Sequence, residues 1–445
     1  MTLHYRSLIE VSELVRTRDL SPVELTRVTL ERIEQLNSKL GAYYTVFGEQ
    51  ALADARAAES EIAAGRWRGP LHGIPIAFKD LYELGLTTAG SKLLADNVAK
   101  GEAALVTQAR NAGAVIIGKL ATHEFALAAA SLADHFPPAR NPWDPARTPG
   151  GSSTGAGTAI AAGMAFGAYG TDTGGSVRLP AAMSGVVGFK PTFGLLSIEG
   201  VIPLSPTLDH AGPLARTVAD VAAMAGISLD QPTAAGLRVG VPRDFWAGAP
   251  PIVRERVDAA IAVLRDQGAQ VEDVRLGVGM VQVMATGYVI TLAESAAYHL
   301  GTLRSGRPGY GHEFGLVLRA GMLVPAHAYV HALRARARIS RLVLGLLETH
   351  DVLAMPTVGA VADPLPAGPR PLNRRISETP TPQYTWLANL YGGPAVSLPC
   401  GFCEQGLPVG FQLIGKPGDD ATVLRAAHTY EQASPWRAAH PPLFP

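Results

Sequence analysis

From Thr148 to Thr171 the chain runs through 24 residues without one charged side chain. Such a stretch either crosses a bilayer or lies in a protein core, since about 20 apolar residues span the hydrocarbon layer. Composition decides between the two. Gly, Ala, Ser and Thr fill most of the run and bulky aliphatic side chains are few, so it lacks the transfer energy of a membrane span. The spacing of Pro, Gly, Ser and Thr makes residues 137–157 a loop, followed by a tightly packed Gly/Ala helix to about Gly167.

The flanking chain supplies layers for that core. Residues 1–65 read as helical. Ser21-Pro22-Val23-Glu24 is a start signal, with Ser as cap, Pro at the first helical position and Glu closing a capping box. Leu25, Val28, Leu30, Ile33 and Leu36 follow at helical spacing, and a second helix spans Glu49 to Gly65. His72 to Phe78 reads as a buried strand ending at Lys79-Asp80, Ala104 to Ala112 as helix and Val115 to Gly118 as strand. This alternation is that of an α/β domain. Residues 276–350 read as mainly helical, and Val352 to Met355, Ala395 to Leu398 and Val409 to Leu413 as strands. No repeat or low-complexity linker divides the 445 residues, so residues 1–445 are expected to form one large domain.

Several functions drop out on charge and motif. Lys plus Arg equals Asp plus Glu at 38 each, which leaves no net field for nucleic acid or an anionic membrane. Met1 to Leu20 holds Arg6, Glu10, Glu13, Arg16 and Arg18, so no signal segment is expected and the expected address is the cytoplasm. Cys400 and Cys403 have redox or zinc spacing, yet they follow the apolar run Ala395 to Pro399 and precede a turn, as in a strand entering a hairpin. His327 and His331 lie four apart without a Glu at Ala328 or an evident third ligand, so no metal is expected. Arg334, Arg338 and Arg341 share a helix face expected to be solvated.

The chemistry concentrates in two loops, Thr148-Pro149-Gly150-Gly151-Ser152-Ser153-Thr154-Gly155 and Thr171-Asp172-Thr173-Gly174-Gly175-Ser176-Val177-Arg178. Neither ends in the Lys-Ser or Lys-Thr of a phosphate loop. Ser153 sits centrally in a Gly-x-Ser-x-Gly pattern, but a nucleophile elbow needs a preceding strand, which Pro142, Pro145 and Pro149 oppose. Gly174-Gly175-Ser176 allows consecutive N–H groups to point into one concavity beside a serine hydroxyl. That serine needs a base. Lys79, at the end of an apolar strand, would serve if burial neutralised its amine, while a salt bridge to Asp80 or Glu83 fits the same position.

Gly73-Ile74-Pro75 leading to Lys79-Asp80, the Gly150-Gly151-Ser152-Ser153 loop, and Gly174-Gly175-Ser176-Val177-Arg178-Leu179-Pro180 resemble the motifs of the amidase signature family. The 24-residue separation of Ser152 and Ser176 matches that family too, as do Gly188 to Thr192, Asp209 to Arg216 and Gly406 to Gly410, so the resemblance covers almost the whole chain. It implies an α/β fold with a central mixed, mostly parallel-type twisted sheet flanked by helices on both faces. Residues 66–220 would be the catalytic core, and residues 276–350 would shape the substrate pocket. It also implies a Ser-cisSer-Lys triad without cofactor. Ser176 would attack a carboxamide, Ser152 after a cis peptide bond would relay its proton, and Lys79 would accept it. The N–H groups of Thr173, Gly174, Gly175 and Ser176 would bind the oxyanion of an acyl-enzyme pathway. Gly151, Ser153, Asp172 and Arg178 would support the loops, with Thr171 as a further brace. Glu124, Phe125, Tyr310, His312 and Tyr384 are candidate pocket residues, and His123 a candidate neighbour of the centre.

The expected substrate is a small-molecule amide, including urea-type amides such as biuret or allophanate. The resemblance also admits a glutamine-hydrolysing component of a tRNA-dependent amidotransferase complex, and a scaffold that has lost catalysis. A homodimer is compatible with the sequence, which fixes no oligomeric state.

Overall fold

Short runs, most of them buried along their whole length, become strands, and all of those described join one sheet. The computed structural model describes residues 3–127, 136–229, 232–365 and 383–442. Its strands are β1 (Tyr43–Val46), β2 (Pro75–Lys79), β3 (Val115–Leu120), β4 (Gly167–Asp172), β5 (Val187–Lys190), β6 (His210–Ala215), β7 (Arg238–Pro242), β8 (Gln270–Val274), β9 (Val352–Pro356), β10 (Ala395–Phe402) and β11 (Pro408–Gly415). They lie in the order β1-β3-β2-β4-β6-β5-β10-β11-β9-β7-β8.

The helices are α1 (Leu8–Thr17), α2 (Pro22–Leu40), α3 (Gly48–Ala63), α4 (Ala104–Asn111), α5 (Thr154–Ala161), α6 (Arg178–Ser184), α7 (Val218–Met224), α8 (Pro251–Asp266), α9 (Met280–Tyr298), α10 (Leu300–Ser305), α11 (His312–Met322), α12 (Ala326–Leu347), α13 (Trp386–Tyr391) and α14 (Asp420–Ala433). Successive strand residues point to opposite faces, so a sheet covered on both sides needs two cores. Ile76 and Phe78 of β2 join a core with residues of α1, α4, α7, α8 and α14, whereas Ala77 joins another with residues of α2, α3 and α5. The same alternation puts Lys79 on the Ala77 side, facing α5.

The α/β architecture with a mixed sheet stands as expected. Its direction needs correction: among the described strands parallel pairing is the minority. β2 pairs parallel with β3 and β4, and β7 with β8 and β9; the other six pairings are antiparallel. Connection length is the cause where the link is short. The turn Cys403–Leu407, closed by Cys403 N–H to the Leu407 carbonyl, is far too short for a crossover, so β10 and β11 form a hairpin. Cys400 is accordingly a buried strand residue with a free thiol.

Local signals mostly hold. Ser21 Oγ accepts from the N–H groups of Val23 and Glu24 at the start of α2, but it also donates to Glu59, and Glu24 does not close the box. Complete capping boxes occur instead at Ser7 with Glu10 and Thr217 with Asp220. Arg334, Arg338 and Arg341 are exposed on α12, as are His327 and His331. Among the described residues no single helix is long and apolar enough to cross a membrane; α11 and α12 pass that test only as a pair bent by 94°.

The uncharged run folds as a loop followed by α5 and most of β4, the helix and the strand both fully buried. α5 ends earlier than Gly167, because Gly163 at φ +69° turns the chain into β4. Its small residues permit near contact between backbones. A Cβ on Gly155 would lie 2.3 Å from the Ala42 carbonyl oxygen and 2.5 Å from the Ala121 nitrogen. Gly→Ala within a helix ordinarily gains about 1 kcal/mol. Here the obstructing atoms are backbone and cannot swing aside, so Gly155→Ala should instead lose about 1–3 kcal/mol, measured as a lowered urea midpoint. An unchanged or raised midpoint would contradict the packing.

Candidate active site

Three segments meet at the C-terminal end of β2. The first is β2, whose last residue, Lys79, is wholly buried. The second is the loop before α5, where Gly150 takes φ +79° and the Gly151–Ser152 peptide is cis. The third is the turn from β4 into α6, residues 173–177.

Lys79 Nζ lies 2.8 Å from Ser152 Oγ and 2.7 Å from Thr171 Oγ1. Neither Asp80 nor Glu83 takes the amine. Asp80 pairs with Lys119 at 3.0 Å and accepts from the N–H and hydroxyl of Thr88. A buried ammonium without a carboxylate in contact loses its hydration and gains little in return. Burial therefore pushes the Lys79 amine down to about 7, against the more distant charges of Asp209 and Asp172, which favour protonation.

Ser176 is partly exposed, and its carbonyl accepts from Ser153 N–H at 3.3 Å, which sets the turn beside the Ser152 loop. Its hydroxyl makes no hydrogen bond among the described residues, so the Lys79–Ser152 contact is formed and the Ser152–Ser176 contact is not. Ser153 is not an elbow nucleophile. It is buried, no strand precedes it, and its hydroxyl donates to the Thr171 carbonyl.

Around Ser176 the N–H groups of Thr173, Gly174 and Ser176 have no acceptor among the described residues. The fourth expected donor needs correction: Gly175 N–H donates to Asp172 Oδ1 at 2.9 Å. Gly175 is required for shape. At φ +131° a Cβ would stand 2.3 Å from Thr385 Oγ1, and one on Gly174 would stand 2.5 Å from the Trp386 ring.

The turn is held by a buried ion pair. Arg178 donates to both carboxylate oxygens of Asp172, at 3.0 and 2.9 Å, and also to the Thr385 carbonyl, Gln412 Oε1 and Asn389 Oδ1. Asn389 returns two hydrogen bonds to Asp172. Burial works to raise the Asp172 carboxyl, and the Arg178 guanidinium and Asn389 override it, holding the group well below the usual carboxylate range. Thr385, Asn389 and Gln412 lie more than 200 residues beyond the turn, and nothing local in the sequence marks them. Asp209 begins a segment that resembles the family, but the sequence assigns it no role. It is buried and accepts from Thr173 Oγ1 at 2.6 Å.

The other candidates divide. His123 N–H donates to the Ser152 carbonyl at 3.1 Å, and its ring abuts Gly151, where a Cβ would meet Cε1 at 2.3 Å. Glu124 is an anchor, accepting from Ser91 Oγ and from Gly311 N–H. Phe125 packs among the rings of His299, Tyr310 and Phe314. Tyr384 is buried against Phe245, and His312 is exposed. A cavity beside the centre is lined by Leu81, Ala126, Thr171, Ile202, Leu204 and Asp209.

A buried lysine against a serine, a second serine beside unengaged N–H groups, and an α/β sheet of this order define a hydrolase-type site. The amidase family model matches residues 24–424, and the chain belongs to that family. It is 38% identical to a subunit of the glutamyl-tRNA(Gln) amidotransferase of Moorella thermoacetica, over 100% of this chain and 99% of that protein. It is 37% identical to an amidase of Pseudomonas putida, covering 98% of each. A crystal structure of an amidase superposes with a TM-score of 0.86 at 32% identity, covering 96% of this chain and 99% of the other.

Arg178→Lys keeps the charge and loses the fork, leaving several of these buried acceptors without a donor. It should cost about 3–5 kcal/mol of unfolding free energy in urea titration. A loss below about 1 kcal/mol would show that the turn is held by something else.

Proposed function

We propose that this amidase hydrolyses the C–N bond of a small-molecule carboxamide with Ser176 as nucleophile, Ser152 as relay and Lys79 as base. The observation that carries the reading is a fully buried amine within 2.8 Å of Ser152 Oγ and without a carboxylate in contact. A neutral amine donates to Thr171 and keeps a lone pair for the Ser152 hydroxyl. Rotation of Ser176 Oγ toward Ser152 completes the chain.

Attack forms the Ser176 Oγ–carbon bond as the Ser176 proton passes to Ser152 and the Ser152 proton to Lys79. The oxyanion is taken by the N–H groups of Thr173, Gly174 and Ser176, a preorganised set needing no rearrangement. Collapse breaks the C–N bond, and the proton returns through Ser152 to the leaving nitrogen, which departs as ammonia or an amine. Water then repeats the sequence on the acyl-enzyme, and release of the acid regenerates Ser176.

Ser176→Ala should abolish both amide turnover and labelling by a serine-directed phosphonate, in a protein that still folds. Lys79→Ala should slow labelling about 10²–10⁴-fold, the usual span for a general base. Wild-type rates from either variant would remove that residue from the mechanism. The active form of Lys79 is the unprotonated one, so its pH dependence has a definite sign. Labelling should rise about tenfold per pH unit below the amine's pKa near 7 and level off above it. A flat profile between pH 5 and 9 would exclude this base.

The relatives named as amidotransferase subunits favour a second reading, in which the amide is that of glutamine and the chain works with partner proteins. A panel of primary, aryl and urea-type amides, with glutamine included, separates the two. Ammonia or amine release by the purified chain from the small amides supports the first reading; release only from glutamine, and only with partners added, supports the second.

A further inference from the structure

We propose that Asp209 is a positioning residue for this reaction: it tethers the Thr173 end of the anion-binding turn and is the unpaired negative charge toward which the Lys79 ammonium forms. This rests on the assignment of Lys79, Ser152 and Ser176 given above. Asp209 immediately precedes β6, the neighbour of β4, and Asp172 pairs in register with His210. Its Oδ1 accepts from Thr173 Oγ1 at 2.6 Å, and its Oδ2 from Leu204 N–H at 2.9 Å and Ser205 N–H at 3.0 Å. Three donors on one carboxylate favour the ionised form. No cation among the described residues lies within ion-pair distance of it.

The charges around Lys79 isolate this role. From β3, Lys119 is paired with Asp80. From β4, Asp172 is paired with Arg178. α5 contributes no charged side chain. From the segment after β3, Glu124 is held by Ser91 and Gly311, and His123 lies against Gly151. At the start of β6, His210 is held neutral by burial, with Lys190 adding to the effect. Of the two carboxylates whose charge favours a proton on Lys79, Asp172 is paired with Arg178 and Asp209 with no base among the described residues; Asp209 lines one cavity with Thr171, the hydroxyl that Lys79 contacts. Burial pushes the Asp209 carboxyl up from its ordinary value, against the hydrogen bonds from Thr173, Leu204 and Ser205.

One residue therefore acts on both halves of the transition state. When the proton reaches Lys79, the new positive charge meets a fixed negative one. At the same moment the oxyanion forms against a Thr173 N–H whose residue is tied by its side chain to that same carboxylate.

The test is the pH profile of Ser176 labelling by a phosphonate probe in the full chain. Asp209→Asn keeps an acceptor for Thr173 and removes the charge. Its acid midpoint should fall by about one pH unit, since Lys79 becomes a weaker base, and its plateau rate by about tenfold. Thr173→Val keeps the charge and cuts the tether, so its plateau should fall about tenfold with the midpoint in place. A folded Asp209→Asn protein with the wild-type midpoint overturns the proposal. If that variant does not fold, Thr173→Val decides, and a wild-type plateau overturns it. Failure of the underlying mechanism looks different: Lys79→Ala would then label at the wild-type rate.

Discussion

A lysine amine taken wholly out of water, with hydroxyls where a carboxylate would normally stand, loses what keeps it charged. That circumstance organises the site. Lys79 reaches it because β2 lies between β3 and β4 and is covered by helices on both faces. Asp80, the nearest carboxylate in sequence, is turned to Lys119 and Thr88. The pairing of Asp80 with Lys119 is thus part of what lets burial lower the Lys79 amine. Rearranging that pair would shift the proposed base without touching it.

The second constraint is steric. The turn carrying Ser176 must press against α13 and still present N–H groups outward. Gly174 and Gly175 satisfy both demands, because any side chain there would collide with Trp386 or Thr385. Asp172 and Arg178 hold the turn from below through a network reaching β11 at Gln412 and α13 at Asn389. A buried ion pair of this kind contributes little net stability against an apolar replacement, while breaking it is expensive, so its value lies in fixing geometry. Remote parts of the chain thereby control a loop of five residues.

Much of this is legible in the sequence because the signals are local. The Ser21 cap, the Lys79 strand end, the glycine pair before Ser176 and the small-residue helix after Ser152 are each written in a few neighbouring residues. Strand direction is not, since an apolar run reads alike both ways and only the connections decide pairing. Engagement of the Gly175 N–H by Asp172 is equally hidden: glycines advertise freedom of the backbone, not the acceptor it finds. Thr385, Asn389 and Gln412 escape notice for a related reason, and Asp209, though it begins a segment that resembles the family, shows no role there. Their roles exist only once distant segments meet, and single polar residues carry no pattern.

The account stands on Lys79 and Ser152 acting as one unit on Ser176. A double-mutant cycle on the rate of Ser176 phosphonylation measures that most directly. Lys79→Ala and Ser152→Ala should each slow the reaction severely, and the double variant should be hardly slower than either alone. Additive losses, with the double variant slower by the product of the two factors, would mean that the two residues act independently and would contradict the relay.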